Sequence, residues 1–153
     1  MNPSSKDDRG RSCTGPNAFW RQTLPFRLPW IGFCILIFHL SSQPSPLDSV
    51  HLFPFQDKAA HFTAYGVLAL LTARNMEGER PHWSPLAIGI SAVLFSLAFG
   101  ITDEFHQSFV PGRHASLGDI GADAMGALAG AWVYPRLSNR FPWAGARRPA
   151  PTP

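Results

Sequence analysis

The chain has 153 residues and a formal net charge of +3, enough for one domain with two short tails and too little for two independent folds. Its basic residues are scattered, with no basic helix and no nucleic-acid motif, so nucleic-acid binding is not expected. Cys13 in a polar tail and Cys34 in an apolar stretch, neither in a CxxC pair, speak against a disulfide framework and against zinc held by cysteine.

A near-neutral mean hydropathy hides a sharp partition. Met1 to Arg27 and Pro135 to Pro153 are rich in Pro, Arg, Ser and Asn, a composition that buries too little apolar surface to order itself. This predicts a disordered basic tail over 1–23, a helical membrane domain over 24–136 and a disordered Pro/Arg-rich tail over 137–153. The fifteen prolines are expected in tails and connections, where they punctuate the apolar stretches.

Four apolar segments follow in order: Leu24 to Leu40, Ala59 to Ala73, Pro85 to Ile101 and Leu117 to Tyr134. A spanning helix needs about 20 residues. The third segment meets the lower end of that range without a charge. The second is short and spans only with Asp57, Lys58 and Arg74 at the interfaces. A soluble four-helix bundle would show polar residues at every turn of one face, and Ala87 to Ile101 offers only small hydroxyls. The expected fold is therefore all-α, an integral membrane bundle of four transmembrane helices. A signal peptide fits the first segment poorly, because its apolar run begins late and no small-residue cleavage site follows.

Charge placement supports the four spans. All but two of the thirteen basic residues fall on one side if every segment crosses, the exceptions being Lys58 and Arg113. Positive residues stay inside, so both termini are expected in the cytoplasm and the protein in the cytoplasmic (inner) membrane.

The opposite side collects the chemistry. Asp57, His61 and Tyr65 recur every four residues and share a helix face. Glu104 and Gln107 end the third segment a turn apart, Arg113 lies in the next connection, and Asp119 and Asp123 open the fourth segment. Charges at this depth usually pair or line a site. Capping stays open for Asp57 and Asp119, the latter three residues after Ser116, and Pro111-Gly112 is a turn signal in its own right. Asp123 and Glu104 sit too deep in apolar runs for capping alone. Gly126 and Gly130 form a small-residue spacing for close helix packing, either within the bundle or between chains as a homo-oligomer face. His61, His106 and His114 stand near carboxylates, but there is no HExxH and no histidine pair at i, i+4. No metal and no cofactor is therefore expected.

Three blocks in this order carry a family likeness: Asp57-Lys58-x-x-His61-Phe62-x-x-Tyr65-Gly66, Asp103-Glu104-x-x-Gln107-x-Phe109-x-Pro111-Gly112-Arg113, and Ser116-x-x-Asp119 with Asp123-x-x-Gly126. They resemble the VanZ-like family, as does the Ser41-Ser42 pair closing the first segment, and the likeness covers about Ile31 to Tyr134. The family often carries Asn where this chain has Asp123. The resemblance implies an envelope protein similar to one associated with low-level resistance to teicoplanin, a glycopeptide acting on cell-wall precursors outside the membrane.

Together these readings predict a site at the outer face that binds or modifies an anionic lipid headgroup or a lipid-linked cell-wall precursor. Lys58 and Arg113 would hold its phosphate or carboxylate, Arg113 through its forked donors. Gln107, Asp119 and Asp123 would complete the binding surface, and Glu104 or the Asp57–His61 pair would act as general base. The alternative is a non-catalytic membrane module whose charges pair internally. A transporter, working as an oligomer with Asp123 and Glu104 relaying protons, ranks third.

Overall fold

A computed structural model describes residues 16–44, 55–113 and 115–140. Four helices run in order: α1 (Pro16–Ser41), α2 (Gln56–Glu79), α3 (Pro85–Gln107) and α4 (Leu117–Arg140), with no strand among the described residues. All four expected segments are helical. Each runs past its apolar stretch except at the starts of α3 and α4, which fall where expected, and α1 and α4 extend into segments expected as tails. The remainder of both tails, with Cys13 and His114, lies outside the described residues.

Local chemistry fixes the well-defined ends. The Ser84 hydroxyl accepts a hydrogen bond from the Ala87 N–H at 3.2 Å, and Pro85 follows at the first helical position, where its missing N–H is not needed. Beyond α3 the chain turns at Gly112, whose φ of +81° lies where a side chain would be strained. The Ser116 hydroxyl then caps α4 by accepting from the Gly118 N–H at 3.1 Å.

The prolines correct one expectation. Pro25 and Pro29 lie inside α1 and Pro135 inside α4, rather than between helices. Pro29 has no N–H to give the Pro25 carbonyl one turn earlier. Arg74 of α2 supplies the donor instead, its Nη1 reaching that oxygen at 3.0 Å.

Helix α2 is the centre of the bundle. It packs against each of the other three, and most extensively against α4. The glycines explain that pairing. A Cβ on Gly126 would run into the Phe62 carbonyl, and one on Gly130 into the Gly66 carbonyl, so the two backbones touch. The small-residue face of α4 is thus occupied within the bundle by α2.

The interior holds polar groups beside an apolar core that includes Tyr65, Leu68, Ala69, Ala73 and Ala92, and large apolar side chains lie on the surface. Thr72, Asn75, Ser96, Glu104 and Asp123 are buried, while Leu28, Ile35, Leu86, Leu94, Phe105 and Trp132 are exposed. On α3 the exposed Leu86, Ile90, Leu94, Ile101 and Phe105 recur along one face as an apolar stripe. The stretches Leu24–Ser41 of α1 and Pro85–Gln107 of α3 are long and apolar enough to cross a membrane. Helices α2 and α4 fall short because they carry the polar groups that face inward.

Candidate functional site

Antiparallel succession brings the C-terminal ends of α1 and α3 together with the N-terminal ends of α2 and α4. Every site residue expected from the sequence lies at this end of the bundle. The described arginines Arg27, Arg74 and Arg80 lie at the other, where Arg27 Nε meets Glu79 Oε1 at 2.6 Å.

The deepest group is Asp123, fully buried on the second turn of α4. Its Oδ1 lies 3.0 Å from His61 Nδ1. With the carboxylate ionised, that imidazole nitrogen must carry the proton, leaving Nε2 as an acceptor. The expected partner of His61 was Asp57; the bonded partner is Asp123. Asp57 remains exposed on the first turn of α2, where a negative charge suits the helix dipole. It does not cap the helix, because the N-cap position belongs to Phe55, in left-handed backbone geometry with no side-chain cap.

Glu104, 3% exposed, completes the cap of α4 from a different helix. Its Oε2 accepts the Ser116 backbone N–H at 2.8 Å, the role expected of the residue three positions after Ser116. Asp119, thereby released, accepts from Lys58 Nζ at 2.8 Å. That hydrogen bond raises the ammonium pKa of Lys58, and the ammonium's partial loss of hydration opposes the rise. The other oxygen of Glu104, Oε1, is buried without a hydrogen-bond partner among the described residues and stands 3.9 Å from His61 Nδ1.

Arg113 meets no carboxylate among the described residues. Its Nη1 donates to Gln107 Oε1 at 3.1 Å, and its Nε and Nη2 donate to the carbonyls of Gln43 and Leu40 at 2.9 and 3.2 Å. Leu40 lies in the last turn of α1, where carbonyls have no partner within the helix, and Gln43 lies just beyond it. Gln107 in turn donates through Nε2 to Asp103 Oδ2 at 3.0 Å. Gln107 therefore orients Arg113, and Arg113 straps α1 to α3. Asp103 was passed over in the sequence in favour of its neighbour; its four-residue spacing from Gln107 was the available signal. His106 turns the other way, stacking on Phe38 with Nε2 3.0 Å from the Ser42 hydroxyl.

These groups border a cavity of about 250 Å³. Its lining is mixed: Ile37, Leu40, Ala60 and Ala64 are apolar, and Ser41, Asp57, His61, Asp103, Gln107 and Arg113 are polar. The Ser41 hydroxyl is buried there without a hydrogen-bond partner among the described residues. Glu104 and Asp123 lie behind this lining, coupled to it through His61, and the Lys58–Asp119 pair lies outside it. Such an arrangement can take an amphiphile, exchange hydrogen bonds with its polar end, and move a proton at His61.

Comparison with known proteins found a family model described as VanZ/LLP1 matching residues 26–138. No curated protein and no solved structure matched.

Proposed function

The chain belongs to the VanZ/LLP1 family, and from that premise we propose that it spans the cytoplasmic membrane four times and binds an anionic amphiphile at the outer face. The ligand class is a lipid headgroup or a lipid-linked cell-wall precursor. The observation that carries this reading is the mixed cavity lining, in which Ile37, Leu40, Ala60 and Ala64 stand beside His61, Gln107 and Arg113. Binding sites of this kind pair a mostly apolar lining with a few placed polar groups.

Arg113 uses three of its five donors internally, leaving the remainder for a phosphate or carboxylate. Lys58 keeps two ammonium hydrogens beyond its bond to Asp119. His61, oriented by Asp123, is the general base of the site for any proton taken from the ligand. Capture of a precursor headgroup at the outer face would alter susceptibility to teicoplanin, in keeping with the family resemblance.

Mass spectrometry of lipids retained after purification in gentle detergent tests this. Wild type should carry a defined anionic lipid or precursor, depleted in Arg113→Lys and retained in His82→Ala at the opposite end. The same unselective bulk lipids in all three proteins would reject the binding site.

A second reading, an internally paired structural module, draws on the bonds Lys58–Asp119 and Arg113–Gln107–Asp103. It expects Arg113→Lys to lower the melting temperature without changing the lipid profile.

A further inference from the structure

We propose that His61, Glu104 and Asp123 form a binding site for a divalent transition-metal cation at the edge of the cavity, and that the cation is what draws an anionic headgroup to this acidic end of the bundle. One donor atom from each of the three side chains lies within 4.8 Å of the others. Nδ1 of His61 stands 3.0 Å from Asp123 Oδ1 and 3.9 Å from Glu104 Oε1. Donors held about 2.0–2.2 Å from a common zinc ion are separated by distances of this order.

The independent observation is the state of the carboxylates. Glu104 is 3% exposed and Asp123 fully buried, yet Glu104 Oε1 and Asp123 Oδ2 lack hydrogen-bond partners among the described residues. A buried polar atom left unsatisfied costs about 1–3 kcal/mol, and more when charged. Glu104 spends its other oxygen on the Ser116 N–H, which fixes the carboxylate and aims Oε1 at His61. A cation held by Glu104 Oε1, Asp123 Oδ1 and a deprotonated Nδ1 would give Oε1 its partner and move the imidazole proton to Nε2. With the ion bound, His61 then serves as ligand and not as base. The donor set of one imidazole and two carboxylates suits zinc, manganese or iron(II) better than calcium.

Charge supplies the link to the ligand. Asp57, Asp103, Glu104, Asp119 and Asp123 gather at this end against Lys58 and Arg113. Without a cation, an anionic headgroup would meet a surplus of like charge. His61 also lines the cavity, so an ion bound to it stands next to the space the headgroup enters. This second step rests on the proposed anion-binding function; cation binding itself does not.

A neighbouring trio, Asp57, His61 and Asp119, shares the histidine. There Lys58 already neutralises Asp119, so the inner trio is the one assigned.

The test is titration of Mn²⁺ and Zn²⁺ into the full-length chain in detergent, without added lipid, using calorimetry and the electron paramagnetic resonance signal of free Mn²⁺. One site per chain is expected in wild type. Glu104→Gln and Asp123→Asn should each weaken it by at least about tenfold, the range seen even for supporting groups around a metal. Asp57→Asn, outside the trio, should weaken it far less than either of these. Helicity and melting temperature without metal check that the near-isosteric variants fold. Absence of stoichiometric binding by wild type would overturn the site, as would binding that survives Glu104→Gln but is lost in Asp57→Asn. A lipid profile that stays unselective while the cation still binds would remove the headgroup step and leave the metal site standing.

Discussion

Glu104 enters the interior with two oxygens and finds a hydrogen-bond partner for one. Its bond to the Ser116 N–H joins the end of α3 to the start of α4, so its removal should be felt at both. Glu104→Ala leaves that N–H without its acceptor and should cost about 1–2 kcal/mol, the usual scale for loss of a helix cap. Glu104→Gln keeps a carbonyl oxygen in place and should cost less than half as much. Thermal unfolding in detergent micelles checks the pair, and equal losses in both would show that charge, not the cap, holds Glu104 there. The sequence displayed the ingredients of this arrangement without its connectivity. Ser116 followed by Asp119 reads as a cap because local spacing is visible in a chain, whereas a carboxylate arriving from twelve residues earlier is not. The same limit hid the exchange of partners at His61. Its spacing from Asp57 is local, but its bond to Asp123 crosses from α2 to α4.

Between elements the decisive contact is α2 against α4, where carbonyls of one helix meet glycines of the other. Gly126→Ala must push α2 away or bend it, because the added methyl meets backbone at Phe62 and not a side chain that can swing aside. A loss of about 1–3 kcal/mol is expected, as for overpacking in a tight interior. Gly121, five residues earlier on the same helix, has nothing within 4 Å of its would-be Cβ. Gly121→Ala should therefore be neutral or stabilise by up to about 1 kcal/mol, the helix-propensity difference. Melting temperatures of the two variants side by side test the packing, and similar values would deny close α2–α4 contact. Helix number and order were legible because four apolar runs separated by turn signals leave little choice. The prolines inside α1 were not, since tolerance of Pro29 depends on Arg74 arriving from α2 to serve the Pro25 carbonyl. The use of the Gly126–Gly130 spacing was half legible: it announces close packing but does not name the partner.

On the scale of the molecule, carboxylates buried within the bundle and large apolar side chains on its surface argue for lipid around it more strongly than any one helix does. α2 and α4 would be poor spans alone, yet within the bundle Asp119, Asp123, Thr72 and Asn75 are buried, as lipid demands of polar side chains. The folded chain also segregates its described cations, with Arg27, Arg74, Arg80 and Arg136 toward one end and Lys58 and Arg113 toward the other. Because connections rich in Lys and Arg stay in the cytoplasm, the α2–α3 connection is expected inside and the α3–α4 connection outside. Two exposed residues report on these connections, His82 on the first and Phe109 on the second. In a chain with Cys13 and Cys34 replaced by Ser, Phe109→Cys should react with a membrane-impermeant maleimide in intact spheroplasts. His82→Cys should react only after permeabilisation. The reversed pattern would put the acidic cluster and its cavity in the cytoplasm, out of reach of an external headgroup. Labelling of both from outside would mean that α3 does not cross at all, and the four-span architecture would fall with it.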